Sequence, residues 1–528
     1  MNAKKIIIGS LAAAIILAGG GIFYAKARYE QQAVNDVRRL FAAYPHMNLQ
    51  AENIQASFFD KKLRITGITG SYTANGVNVD VKIAGIVTTD LADADTLLAR
   101  QGAYKVYSGL ELNGLVVTMR DLGIMTLDSY SIKDMTADVQ AIVSQIQKIY
   151  AFVKKQITSG EDGDDRENEA MSLLEGYVQA QENTHIGKAT LNGLHIGLKL
   201  GDDSLRVTLA KSETSDYSQT HSGPSSMEKL AFSHNGKTIL NIAAAGLDSM
   251  DFPNSMFLLQ EMQKIDAGIP DYKKIYELFK EKKLNVGNFR INNLIVANPA
   301  SPQQTVSLGT FTLNMSNASP IFVAVALDGL DLDKSILPED TLSDAQLALL
   351  PDTLSFSGAF DLSLTEKTPL NFGIICKPFR LSEKKLGSLD LSFDLGGLNV
   401  INLLSGNPGN LSLNNLHVTV NDGIASEIAF ASLMEEKGGQ EGSPAPQQIS
   451  TAPMREHYAG LLLRQAHNLP EGPIRELAAN AAAFIKTPGG MLNLAMNPPK
   501  PLDRMSIISA FVMSPDLLGL SSSFAPGK

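Results

Sequence analysis

The chain is poor in the residues that usually announce chemistry. It holds one cysteine, Cys376, so no intramolecular disulfide can form and no cysteine-based zinc site can be built. Its eight histidines include no His-x-x-x-His or His-Glu-x-x-His unit. Tryptophan is absent. Gly236-Lys237-Thr238 ends like a phosphate-binding loop, but Ala231 stands where its first glycine is required. Gly-x-Ser-x-Gly does not occur, and the Ser-x-x-Lys matches at Ser226 and Ser382 lack the motifs that accompany a serine hydrolase. Asp328, Asp331 and Asp333 miss the spacing of a calcium loop. Cys376 lies in an apolar run and reads as a buried, inert thiol. The expectation is a non-enzymatic protein with no catalytic residue, no metal and no cofactor.

Positive charge is also scarce. The formal net charge is −10 and no basic stripe offsets it, which argues against a nucleic-acid surface. Long apolar runs are missing with one exception. Lys4 and Lys5 precede an uncharged stretch from Ile6 to Ala25, about 20 residues and enough to cross a hydrocarbon core. The flanking lysines favour a cytoplasmic N-terminus. Ala25-Lys26-Ala27 also fits a cleavage site, so a removed signal peptide is the alternative to a retained anchor. Either way the sequence reads as an exported protein, held at a bacterial inner membrane by one pass if the anchor is kept, with its bulk in the periplasm.

Beyond the anchor the dominant period is two. Lys62 to Thr66 and Val77 to Ile83 alternate apolar and polar residues, as do runs at 205–209, 237–242, 306–313, 354–364, 388–395 and 411–420. A degenerate motif recurs along them: apolar-x-apolar, Asn, Gly or Asn, Leu-x-apolar. It spans Leu110–Val117, Ala189–Ile196, Phe289–Val296 and Leu411–Val418, with looser copies at Leu63–Ile68, Val81–Ile86, Val325–Leu330 and Phe393–Leu398. Asn and Gly tolerate positive φ, so the motif reads as a bulge that bends a continuous strand and keeps its apolar residues on one face. A two-residue hairpin turn is the other reading.

Helical spacing marks 29–44, and a 3-4 pattern runs from Ile132 through Met135, Val139, Ile142, Ile146, Ile149 and Val153 to Ile157. That stretch suits a helix packed on the sheet, or an intermolecular coiled coil. The fold class expected is therefore a β-rich α+β protein: an N-terminal transmembrane helix, then extended, curved antiparallel sheets with interspersed helices. Its regions are 1–28 (anchor or signal peptide), 29–160 (β-rich, ending in the long helix) and 161–183 (acidic linker and short helix). There follow 184–433 (β-rich, with a helical insertion near 254–283), 434–452 (a linker of disordered composition) and 453–528 (C-terminal helices and strand). Strict alternation makes one face of each strand apolar, and Val77, Val79, Val81 and Ile83 are the candidate apolar ligand face.

The anchor and the motif at Leu63–Ile68, Leu110–Val117, Ala189–Ile196, Phe289–Val296, Phe393–Leu398 and Leu411–Val418 resemble the AsmA-like group of bacterial envelope proteins. The chain also looks like single-pass periplasmic proteins of the YdgA-like type. The AsmA-like resemblance implies an elongated, twisted sheet with an apolar concave face and a role in lipid handling or envelope homeostasis. The expected partners are the inner membrane, lipid and envelope proteins. The rival expectation is an assembly scaffold that engages protein partners through the 132–157 helix.

Overall fold

The computed structural model describes residues 47–57, 61–74, 77–90, 100–142, 165–251, 284–299, 301, 304–317, 320–337, 342–368, 371–399, 411–438 and 451–527, with scattered positions in 34–42 and 144–152. The protein is β-rich, 60% strand and 22% helix, and its sheet is antiparallel. It divides into two compact units, Met1–Pro270 and Asp271–Lys528.

The first unit is a meander. Its strands are β1 (Asn53–Ser57), β2 (Lys62–Ala74), β3 (Val77–Thr89), β4 (Tyr104–Met119), β5 (Gly123–Ala137), β6 (His185–Leu200), β7 (Asp203–Ser218), β8 (His221–Ser222), β9 (Ser225–His234), β10 (Lys237–Leu247) and β11 (Ser249–Asp251). Strands β1 to β7 pair in sequence order, then β9 and β10, while β8 and β11 form a short flap. The second unit continues with β12 (Asn285–Ala297), β13 (Thr305–Ser316), β14 (Ile321–Asp333), β15 (Thr353–Thr368), β16 (Asn371–Glu383), β17 (Gly387–Asn399), β18 (Ser412–Asp422), β19 (Met491–Met496), β20 (Leu502–Asp503) and β21 (Leu520–Ala525). These also pair as successive neighbours as far as β19, which then pairs with β21.

The recurrent motif does not make hairpin turns; the strands run through it. In the first unit it is not a bulge either, because at the motif no strand carries an extra residue. Thr66 pairs with Gly85 and Ile68 with Ile83, so Gly67 and Ala84 leave the ladder together and the register is kept. The same omission passes from strand to strand through Gly114, Asp128, Gly193, Ala210, Lys229 and Ala243. Alternate members, Gly67, Gly114, Gly193 and Lys229, have positive φ. The result is a straight crease across the sheet. Because each strand spends one residue on it, the apolar spacing changes from two to three at the crease. Leu110, Leu112, Leu115 and Val117 are thereby all buried on one side.

The second unit begins the same way, with Asn293, Gly309 and Gly329 leaving the ladder in line. It then changes to true bulges. Asp328 and Gly329 face Ser357, Lys377 and Pro378 face Asp361, and Asn414 is extra against β17. A proline in an interior strand is tolerated there because a bulge removes the need for its missing N–H.

A second crease overturns the expected helix over 132–157. Residues Ile132 to Ala137 belong to β5 and pair on both sides, with β4 and with β6. Asp134, at φ 51°, leaves both ladders. The step of three from Ile132 to Met135 is therefore the spacing of a creased strand. Helix begins only at Val139, and Ile146, Val153 and Ile157 lie outside the described residues. The acidic stretch at 161–183 contains a helix, Asp165–Ala180, but separates nothing, because β5 pairs directly with β6. The helix Ala425–Gly438 extends into the expected linker 434–452, and 439–450 lie outside the described residues. So do the anchor and the 254–283 insertion. Helices Ala452–His467 and Pro473–Lys486 occupy the expected C-terminal positions, with Pro473 opening the second. The C-terminal region adds a third helix, Arg504–Met513, and three short strands. Among the described residues no helix is long and apolar enough to cross a membrane.

Candidate functional site

Directly paired residues of antiparallel strands share a face, so the registers can be followed as rows across the sheet. One row of the first unit reads Ile68, Ile83, Leu115, Leu127, Leu194, Leu209, Leu230, Ile242. The chemistry is constant but the burial is not. Ile68, Ile83, Leu115 and Leu127 are buried, while Leu194, Leu209, Leu230 and Ile242 are half-buried. The change falls between β5 and β6. At the buried end the face is roofed: Val37 and Val139, from helical stretches before β1 and after β5, belong to the same core, and Phe41, Leu49 and Ile142 pack against it.

Val77, Val79, Val81 and Ile83 sit at this roofed end. Val79 is 0%, Val81 3% and Ile83 1% exposed, and Val77 is half-buried against them. They are core, closed to a ligand. The alternation that singled them out reports burial, and it cannot say whether protein or ligand does the burying.

In the second unit the middle rows of the apolar face are half-buried, while Val286, Leu354, Cys376 and Leu413 toward its ends are buried. Phe289, Leu313, Val325, Phe360, Phe379, Leu391 and Val418 form one row, every member half-buried. Ile291, Phe311, Leu327, Gly358, Leu381, Leu389 and Val420 form the next, in which Leu381 is exposed. The main packing partners of β12 to β17 are their own neighbouring strands. On this face Phe289 meets Phe311 and Phe360 meets Phe379 edge to face. The opposite face is short and polar. Ser355 donates to Asp331 at 2.6 Å, Ser357 to Asp328 at 2.7 Å and Asn421 to Ser388 at 2.7 Å, and Arg380 pairs with Asp390.

The groups able to do chemistry do not converge on this face. Cys376 is buried in β16, and burial first, then the Asp361 charge, raises its thiol pKa. Among the described residues no group of His, Cys, Asp and Glu could hold a metal ion. Two histidines join two aspartates at the β6–β8 end. His185 donates to Asp216 at 2.8 Å, and His221 reaches Asp216 at 3.6 Å and Asp251 at 2.6 Å. The His185 hydrogen bond, aided by the His221 charge, holds the Asp216 carboxyl below its ordinary range.

Among the described residues one ionic knot is deeply buried, and it lies in the second unit. Arg455, 2% exposed, donates to the Ile485 carbonyl and pairs with Glu427, both at 2.9 Å. It also bonds Ser426, lies 3.7 Å from Asp422 and stacks over Phe430. Arg455 and these partners come from β18 and from three helices, so the knot ties elements together. Sequence inspection passed over it because its members are scattered between 422 and 485.

No family model, curated protein or solved structure matches this chain. The functional reading therefore rests on the faces themselves.

Proposed function

We propose that this is a membrane-anchored envelope protein that binds lipid acyl chains, or another apolar ligand of that kind, along the half-covered face of its sheet. The observation that carries the reading is the row from Phe289 to Val418, apolar on every strand and half-exposed on every strand. An uncovered apolar face wider than a few hundred Å² is a binding surface or an aggregation hazard. A natural protein that keeps one across this many strands has a use for it. The uncharged run Ile6 to Ala25 supports the location, since it would hold the sheet beside a bilayer that supplies such chains. The reading needs no enzyme chemistry, and it assigns the Val77–Ile83 stretch to the scaffold.

The test is photo-crosslinking of the full chain in cells. Benzoylphenylalanine is placed singly at Val325, Leu391, Ile83 and Val117, and adducts are read by mass spectrometry. Phospholipid adducts at Val325 and Leu391, with none at Ile83 and Val117, are the expected result. Absence of lipid adducts at all four, or protein adducts alone at Val325 and Leu391, overturns it in favour of the scaffold reading.

A further inference from the structure

A cavity lies at one end of the first unit's sheet, where the strands β4 to β10 meet their turns. The register places Thr118, Ile124, Gly197, Arg206, Ser233 and Thr238 in one row there. Arg120 lies two residues beyond Thr118, and Lys199 two beyond Gly197. All three cations line a single open cavity of about 810 Å³. Asp121 is the only carboxylate among its lining residues. Asp203, nearby in sequence, is already held by Asn235 at 2.8 Å and His234 at 3.2 Å, which depress its pKa.

In a chain of net charge −10, three cations around one carboxylate stand out. Arg120, Lys199 and Arg206 are all exposed, and none makes an ion pair among the described residues. Surface cations in acidic proteins ordinarily find carboxylates. Three that converge on a cavity with one carboxylate, Asp121, leave a net positive potential there. The floor is apolar. Ile124 is 45% exposed, and Met119, Leu198 and Leu205 contribute to the lining. Gly197 makes the room: a Cβ added there would meet only Ile124, at 3.9 Å. A side chain on that residue would fill the cavity without straining the backbone.

We infer that this cavity binds a single anionic amphiphile, an acyl chain ending in a carboxylate or phosphate. Arg120, Lys199 and Arg206 hold the head, and Ile124 and the Gly197 bay take the start of the tail. An inorganic anion would leave Ile124 wet, and a neutral alkane would leave three cations unanswered. The site is built from first-unit residues, none of them in the second-unit rows proposed to bind acyl chains, so its existence does not depend on what those rows bind.

The test is hydrogen–deuterium exchange of the full chain in phosphatidylcholine nanodiscs, titrated with dodecyl phosphate, inorganic phosphate or dodecanol. Dodecyl phosphate should protect 118–124, 197–206 and 233–238. Reversing charge in the double variant K199E/R206E should raise the half-protecting concentration at least tenfold. Gly197→Leu, which keeps every charge, should do the same. Melting curves should show both variants folded. Equal protection by inorganic phosphate would reduce the site to a free-anion site and overturn the amphiphile. Equal protection by dodecanol would overturn the role of the cations, and unchanged protection in both variants would overturn the site.

Discussion

The β2–β5 end of the first unit and the β13–β17 stretch of the second use the same strand grammar and reach opposite outcomes. Both put Leu, Ile, Val and Phe on one face. At β2–β5 that face is closed by helical residues and becomes a core. At β13–β17 it is left half-covered. The difference teaches that apolar alternation specifies an inside, and that something outside the strand decides whether the inside is filled by protein. The second unit compensates with a polar knot at Arg455, where the first has an apolar one.

The sharpest way to break this comparison is a matched pair of charges. Ile83→Asp should destabilise by more than about 4 kcal/mol, because an unpaired carboxylate enters a closed core. Val325→Asp should cost under about 2 kcal/mol, since its carboxylate can reach water. Chemical denaturation of the full chain checks both. Equal losses would mean that the second face is as closed as the first.

Next comes the knot. Arg455→Met leaves Asp422 and Glu427 without their buried cation, a loss of about 3–5 kcal/mol. The unfolding transition of the C-terminal helices, followed by fluorescence of a reporter on Pro473–Lys486, should move while that of β2–β5 stays. A common shift would show that the two units unfold as one.

Smaller effects test the creases. Gly114 has φ 61° and an added Cβ would lie 2.8 Å from Ala84. Gly329 has φ 65°, but its nearest neighbour would be at 3.6 Å. Gly329→Ala should therefore cost about 1–2 kcal/mol, the left-handed backbone alone. Gly114→Ala should cost measurably more, and Ala84→Gly should restore part of the excess. Equal costs would remove the cross-strand contact from the account of the crease.

The smallest expected effect depends on pH. The folded carboxyl of Asp216 lies below its ordinary value of 3.8, so its contribution is complete above that value and is lost as pH falls through the folded one. Asp216→Asn keeps a residue that tolerates φ 48° and removes the charge. Exchange at the β6–β8 end should be faster in the variant at pH 6, with the difference vanishing once pH has fallen through the folded value. A difference that persists in acid would trace to the backbone.

These outcomes bear on what a sequence can show. The strands were legible because period two survives in most of them, and the two-three-two spacing of Leu110 to Val117 showed a bend. The nature of the bend was hidden. Its partners, Ala84, Asp128 and Ala210, are ordinary residues, and only the ladder shows that they leave it together. The same crease at Asp134 gave Ile132 and Met135 a helical spacing, which is why a strand read as helix. The closure of Val79, Val81 and Ile83 depends on Val37 and Val139, which no local pattern links to β3. Arg120, Lys199 and Arg206 lie on three strands, so no window of sequence contains them.

The creases also constrain how such a sheet can change. In the first unit each strand gives up one residue at the same level, so the crease is a shared mark, and in the second unit β15 drops it only by leaving a bulge in β14. Deleting Gly114 by itself would leave β4 one residue short at the crease and set a bulge against β3 and β5 at once. Insertions and deletions should accordingly be tolerated at the turns and refused along the line from Gly67 to Ala243. Lengthening the sheet would then proceed by whole hairpins that already carry the mark. A deletion scan across β4, read by soluble expression, would trace that line as a narrow band of failures.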